Sequence, residues 1–391
     1  FRPADRHCSG KREMKIVVNA LSARRGGIVT YTRNLMQTFR NRNVDAVFAL
    51  PVDSEIPDEI PTIRFPVTGM SPLSRAVWEQ ILWRRVVKRQ KPDILYSSAN
   101  FGLIASPVPQ VLLVREGGLF DPFYLTNVAP SLGVGALFER VLRRKLILAS
   151  ARSSDMILTP TNAMSELLAN WTREISEKLD TNLYGTLLDH FHRGAEHRPW
   201  KKDGVIRLLT VSAYYAHKQP GLVAEAVRIL NEQGVPAHLS LTLDLDQMEK
   251  TRGSAKDIFL IQKGVERGQV TLLGQVKYDD LPELYANHDV FVSASISETF
   301  GHPMIEAMAS NTLIVAADTP VHREVCMDAA AYFGSLSEQS LVETLTDLDR
   351  NEDRRDEMRK LGQTYSVEQY GWDRHVDRLL GHFEDLLDSK K

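Results

Sequence analysis

Residues 290–310 read VFVSASISETFGHPMIEAMAS. The first five are apolar or small and predict a short buried strand. Residues 295–301 form a loop rich in Ser, Thr and Gly, and a helix follows with Pro303 in its first turn and Met304, Ile305 and Met308 on one apolar face. The next apolar run, residues 312–317, predicts another strand. Strand, loop, helix and strand at this size make a parallel βαβ crossover, which places the loop at the carboxyl end of a strand with a helix amino terminus aimed into it. That position suits an anion.

Two carboxylates stand in this otherwise apolar and small-residue stretch, Glu298 in the loop and Glu306 about one turn into the helix. Either one alone reads as a dipole cap or a solvated helix residue. Together with Phe300-Gly301, Pro303 and Ala307, the spacing Glu298-x7-Glu306 resembles the signature of the family 4 retaining nucleotide-sugar glycosyltransferases. The resemblance implies the GT-B fold: an α/β chain of two Rossmann-like doubly wound domains facing each other across a cleft.

Composition agrees with that class. A chain of 391 residues is long for one core and suits two domains. No apolar run approaches the ~18 residues of a membrane span. Residues 1–13 are polar, lack the apolar stretch of a signal peptide and read as a disordered extension or expression remnant ahead of Met14. The expected organisation is an acceptor-binding domain over residues 14–190, completed by a crossover helix at about 369–391, then a linker at 191–204 and a nucleotide-sugar domain at 205–368. Two cysteines, Cys8 and Cys326, make no disulfide framework and fit a reducing cytoplasm.

The net charge of −2 is unevenly divided: residues 1–190 hold 25 Lys and Arg against 18 Asp and Glu, and the remainder holds 23 against 32. Residues 84–89 (RRVVKR) and 140–145 (RVLRRK) carry most of the excess. They read either as solvated helix faces or as peripheral contacts with an anionic membrane. No motif for nucleic acid accompanies the charge.

Along the chain, residues 15–20 predict the first strand, and a loop with Gly26 and Gly27 opens a helix through Tyr31, Leu35 and Phe39. Two glycines at a strand-to-helix turn permit a plain tight turn or close backbone approach to a ligand; the resemblance implies that this loop faces the donor's phosphates. Strands at 93–96 and 111–114 end in Ser97-Ser98-Ala99-Asn100 and Arg115-Glu116-Gly117-Gly118. Ligands of open α/β sheets bind beyond such ends, so Asn100, Arg115 and Glu116 are acceptor-side candidates. Family members often carry His-Asp where this chain has Arg115-Glu116. An arginine is no general base; Glu116 could act as one, or form a salt bridge within the loop.

In the second half, a strand at 205–211 leads to Ser212–Lys218. The resemblance implies an Arg and a Lys here, five positions apart, on the donor diphosphate: Lys218 fits the Lys, and Ala213 occupies the Arg position. His217, Arg115 or another cation would supply the second charge. Gly274-Gln275-Val276 resembles the turn that reads the nucleobase through backbone groups. Residues 318–325 resemble the family's next strand and loop, and residues 183–185 a short strand and turn.

The resemblance then implies the roles. Glu298 holds the donor sugar's hydroxyls, backbone groups of Thr299, Phe300 and Gly301 surround sugar and phosphate, and Glu306 accepts from the ribose. No cofactor and no metal are expected, and Asp244-Leu245-Asp246 lies past a strand unsuited to a metal loop. The reading is a retaining, metal-independent transferase that moves a hexose from a UDP- or GDP-linked donor to a saccharide or lipid-linked acceptor hydroxyl, in the cytoplasm at the inner face of the membrane. Its rivals are a sugar-nucleotide-binding scaffold on the same fold and a nucleotide-sugar epimerase.

Overall fold

In the computed structural model, which describes residues 14–24, 27–70, 72–192 and 199–391, the apolar runs become thirteen strands in two sheets. The first sheet comprises β1 (Ile16–Asn19), β2 (Ala46–Pro51), β3 (Thr62–Phe65), β4 (Ile94–Ser97), β5 (Gln110–Leu113), β6 (Met156–Thr159) and β7 (Leu179–Thr181), in the order β3-β2-β1-β4-β5-β6-β7. The second comprises β8 (Ile206–Thr210), β9 (Ala237–Leu241), β10 (Val270–Leu272), β11 (Val290–Ser293), β12 (Leu313–Ala317) and β13 (Ala330–Phe333), in the order β10-β9-β8-β11-β12-β13. The pairings in the second sheet are parallel. Parallel sheets are covered on both faces, which is why β12 is apolar without alternation and wholly buried, as are Ile16, Val17 and Val18 of β1.

Contacts divide the chain into two units. One holds residues up to Val114 with Leu146–Leu158 and Leu380–Lys391, and the other holds Arg115–Lys145 and Thr159–Leu379. In the first, Val17, Leu95 and Leu103 pack against Trp83 and Val87 of the covering helix, and Phe383 of the last helix lies 5.4 Å from Tyr96, ring to ring. In the second, Leu208, Leu239, Val292 and Val315 point to one face of the sheet and meet Val223, Val227, Leu341 and Leu345. Helices Pro220–Glu232 and Glu338–Arg350 supply that cover.

Expected strands lie within two residues of those observed, with two exceptions. The short strand expected at residues 183–185 is β7, a few residues earlier. At the expected position Tyr184 is instead buried against Phe300, His302 and His375. Residues 318–325, expected as strand and loop, form the helix Pro320–Cys326, started by Thr319, whose hydroxyl accepts from the His322 amide. With Pro320 at its first position, that start has the usual chemistry of a helix amino terminus. The basic residues 84–89 lie at the end of an interrupted helix: Pro72–Trp78 and Arg84–Gln90 are joined by a π turn, Glu79–Trp83. The linker expected at 191–204 begins with the end of a short helix, Leu188–His192; Gly26 and residues 193–198 lie outside the described residues.

One glycine fixes how the second unit is assembled. A Cβ on Gly221 would stand 2.5 Å from an Asp257 carboxylate oxygen and 2.8 Å from its Cα, so helix Pro220–Glu232 approaches Ala255–Glu266 without a side chain between them. Gly221→Ala should therefore lower stability by roughly 1–3 kcal/mol through overpacking. Gly381, in the helix Trp372–Asp388, has nothing within 4 Å of its Cβ position, so Gly381→Ala should raise stability by up to about 1 kcal/mol through helix propensity. Thermal unfolding of the two variants checks both; shifts of the same sign would refute the crowding argument.

Candidate functional site

The strand order of the second sheet reverses direction between β8 and β11, and ligands of open α/β sheets bind outside the carboxyl ends at such a switch point. Lys218 leaves β8 and Glu298 leaves β11. Their side chains meet as an ion pair between Lys218 Nζ and Glu298 Oε1, eighty residues apart in sequence and both largely withdrawn from solvent. Around them is a small open recess, lined by Thr210, Ser212, Ser295, Gly301 and Met304 besides the pair.

Each loop is held at several points. Lys218 closes a one-turn 3-10 helix, Ala216–Lys218, after which Gln219 turns left-handed and Pro220 begins the next helix. Both ends of that loop rest on one buried carboxylate: the Tyr214 hydroxyl donates to Asp257 Oδ2 at 2.8 Å and the Gly221 amide to Oδ1 at 3.2 Å. The Ile296 amide donates to the His217 carbonyl at 3.0 Å, tying the second loop to the first. Gly301, at φ +88°, turns the chain into the helix His302–Ala309, a conformation that glycine adopts at no steric cost. Phe300 is buried and packs edge-on against Tyr184, His302 and Tyr370, while the Thr299 carbonyl accepts from the Thr161 hydroxyl at 3.0 Å.

Electrostatics separate the two glutamates. Burial would raise the Glu298 carboxyl, but the charge of Lys218, with the hydrogen bond from its ammonium, outweighs it and holds Glu298 at about 2. Among the described residues no cation acts on Glu306. Burial pushes it up to about 7 against the opposing hydrogen bond from Tyr285, whose hydroxyl donates to Oε2 at 3.0 Å. Glu298 is thus a fixed anion, and Glu306 titrates near neutrality.

Three histidines surround Glu298, and burial depresses each of them. His217 and His302 fall to about 4, and His322 is lowered as well. His217, one of the groups expected to replace the missing cation at Ala213, is consequently neutral at physiological pH. The Ala317 carbonyl lies 2.6 Å from His322 Nδ1, and because it can only accept, that nitrogen carries the proton; Nε2 faces the Ser293 hydroxyl at 3.3 Å. Neither His322 nor Tyr285 nor Asp257 has a sequence signal, since each acts through a contact between elements far apart in the chain.

The other sequence-derived candidates are placed as follows. Arg115 stands over the Tyr184 ring, 5.8 Å from its centroid, and that ring stacks on His302. Glu116 has both oxygens on Arg143 Nε, at 2.9 and 2.7 Å. Gly274 follows β10 at φ +66° and leads through Val276 to Tyr278, which stacks on His190. Burial and the Glu306 charge both raise the Tyr278 phenol, so this turn is coupled to Glu306. Gly27 opens the helix Gly27–Asn41, and Asn100 is a buried left-handed residue whose amide donates to the Leu113 carbonyl; both belong to the first unit. Asp244 accepts from the Asp246 amide and caps the helix Leu245–Glu249. Among the described residues no cluster of three His, Cys, Asp or Glu side chains could hold a metal ion, and no helix is long and apolar enough to cross a membrane.

The raised Glu306 has a measurable consequence. Its folded value of about 7 exceeds the ordinary 4.5, so between those pH values the folded chain retains a proton that the unfolded chain releases. The stability this group contributes is complete below about pH 4.5 and is lost as pH rises through about 7. Glu306→Gln should remove that decline, on the order of 3 kcal/mol at most, as read by denaturant unfolding across the window. A wild-type and variant difference that does not change with pH would contradict it.

Residues 193–365 match the family model described as glycosyl transferases group 1. Over 261 residues, 66% of this chain and 67% of the relative, it is 25% identical to the O-antigen chain mannosyltransferase RfbU of Salmonella typhimurium. Its fold is similar to that of sucrose-phosphate synthase from Thermosynechococcus elongatus, at TM-score 0.72 and 15% identity over 96% of this chain and 100% of the other. Anabaena HepE in complex with UDP and glucose gives TM-score 0.71 and 14% identity over 95% and 100%. With its two Rossmann-like sheets this chain has the GT-B fold of these neighbours, and the stretch that matches glycosyl transferases group 1 contains both Lys218 and Glu298.

Proposed function

We propose that the chain transfers a hexose, with retention at the anomeric carbon and without a metal ion, from a UDP- or GDP-linked donor to a hydroxyl of a saccharide or lipid-linked acceptor in cell-envelope polysaccharide synthesis. The observation that carries this reading is the Lys218–Glu298 pair at the switch point of the second sheet. The relative named as an O-antigen chain mannosyltransferase supports the acceptor class, and makes GDP-mannose the first donor to try.

The chemistry follows from charge. Departure of a nucleoside diphosphate concentrates negative charge on the leaving phosphate, and fixed cations and helix dipoles aimed at it lower the barrier. Lys218 is the side-chain cation at this position, and the amino terminus of His302–Ala309 opens from the same loop. Glu298, ionised throughout the working range, accepts from the donor sugar's hydroxyls and keeps Lys218 in place. Glu306 accepts from the ribose hydroxyls, and because hydroxyl donors favour its ionised form, donor binding releases a proton below about pH 7. The acceptor oxygen attacks the anomeric carbon on the face the diphosphate leaves, and its proton passes to the departing phosphate oxygen. Arg115, which acts electrostatically on His302 beside Glu298, is a candidate for added positive charge on the acceptor side. Glu116, engaged by Arg143, acts there as a base only if that ion pair opens.

Incubation with UDP- and GDP-sugars tests the reading: nucleotide release that accelerates with a mannosyl acceptor supports transfer, binding without turnover supports the scaffold, and an isomerised sugar supports the epimerase. Lys218→Ala should cost roughly 10²-fold or more in turnover, and an unaffected rate would remove Lys218 from the mechanism. Glu306→Ala should weaken donor binding and abolish its pH dependence around 7; unchanged affinity, measured by calorimetry, would refute the ribose role.

A further inference from the structure

We propose that residues 77–89, with Ile104, form a docking surface for an anionic lipid bilayer. The helical segment from Pro72 to Gln90 is anchored on its inner side. Trp83 and Val87 are buried in the first unit's core, and Glu79 turns inward to Arg75, whose Nε donates to it at 2.8 Å. The π turn Glu79–Trp83 inserts one residue per turn relative to an α-helix, and Ile81 and Leu82 both face outward, 48% and 45% exposed. Val77, one turn earlier, is 59% exposed. Ile104, 53% exposed, belongs to a neighbouring loop that Gln80 fastens to the helix: its side chain accepts from the Ile104 amide at 2.8 Å and donates to the Gly102 carbonyl at 3.2 Å.

Immediately after this apolar group come Arg84, Arg85, Lys88 and Arg89, all exposed. Arg84 Nε donates to the Ala105 carbonyl at 2.6 Å, which sets its guanidinium beside Ile104. The one acidic residue of the segment, Glu79, is the one turned inward. The outer face therefore presents apolar tips followed by cations with no carboxylate among them, the chemistry that seats a helix at the boundary of headgroups and acyl chains. The second basic block differs. Arg140 lies over the Tyr124 ring and donates to the Gly118 carbonyl, Arg143 holds Glu116, and Arg144 lies over Trp171, so its three arginines are committed within the second unit and Lys145 is left exposed.

The biological use of this surface rests on the lipid-linked or envelope acceptor proposed above, but vesicle binding needs neither donor nor acceptor, so the two readings fail separately. The full chain is sedimented with phosphatidylcholine vesicles with and without phosphatidylglycerol. The expected result is binding that requires phosphatidylglycerol, falls as NaCl is raised, and weakens roughly tenfold or more in the Ile81→Asp, Leu82→Asp double variant. Arg85→Glu with Lys88→Glu, fully on the surface, should weaken it by roughly fivefold for each cation lost, with the thermal midpoint of unfolding unchanged. Binding indifferent to phosphatidylglycerol, or equal in wild type and both variants, would overturn the proposal. So would self-association by light scattering that Ile81→Asp abolishes, since the face would then be an interface between copies of this chain.

Discussion

The second unit depends on one ion pair held out of water. Separating Lys218 from Glu298 would leave a charge in a low-dielectric recess, and an uncompensated buried charge costs far more than the pair itself contributes. The rest of the site can be read as the means of keeping the two together. Asp257 pins both ends of the Lys218 loop, the amide of Ile296 joins that loop to the next, and Gly301 turns the chain so that Glu298 stays beside the helix amino terminus. Burial sets the protonation around it: the histidines nearby are lowered by desolvation, while Lys218 keeps Glu298 charged.

The two glutamates eight positions apart have different physical lives. Glu298 meets a cation and is locked in one state. Glu306 meets a phenol in a buried setting and is poised between states. Under the function proposed above, the first binds the donor and the second responds to it by losing a proton. Nothing in the spacing alone separates the roles, because the partner that decides each one comes from another part of the chain.

The sequence made the strands legible because parallel strands buried on both faces are continuous apolar runs, as in β11 and β12, and the loop between them was legible because Gly301 and Pro303 punctuate it. Where the expectation missed, it rested on resemblance: Leu183-Tyr184 lies past the strand because Tyr184 is buried in an aromatic cluster instead, and the Thr319-Pro320 helix start was read past. Lys218 and Glu298 could be singled out from their loops, yet their meeting could not, and neither could Asp257, Tyr285 or His322. Charge counting located both basic blocks, but only packing separates the one directed to solvent at residues 84–89 from the one consumed by Tyr124, Glu116 and Trp171.

The central claim is that the switch point between β8 and β11 is where the nucleoside diphosphate binds. Amide hydrogen exchange on the full chain, with and without GDP and then UDP, addresses it most directly. The account predicts slowed exchange at the amides of residues 212–219 and 295–302, with the turn at 274–278 protected by whichever base is read. Protection confined to other segments, or none at saturating nucleotide, would contradict it.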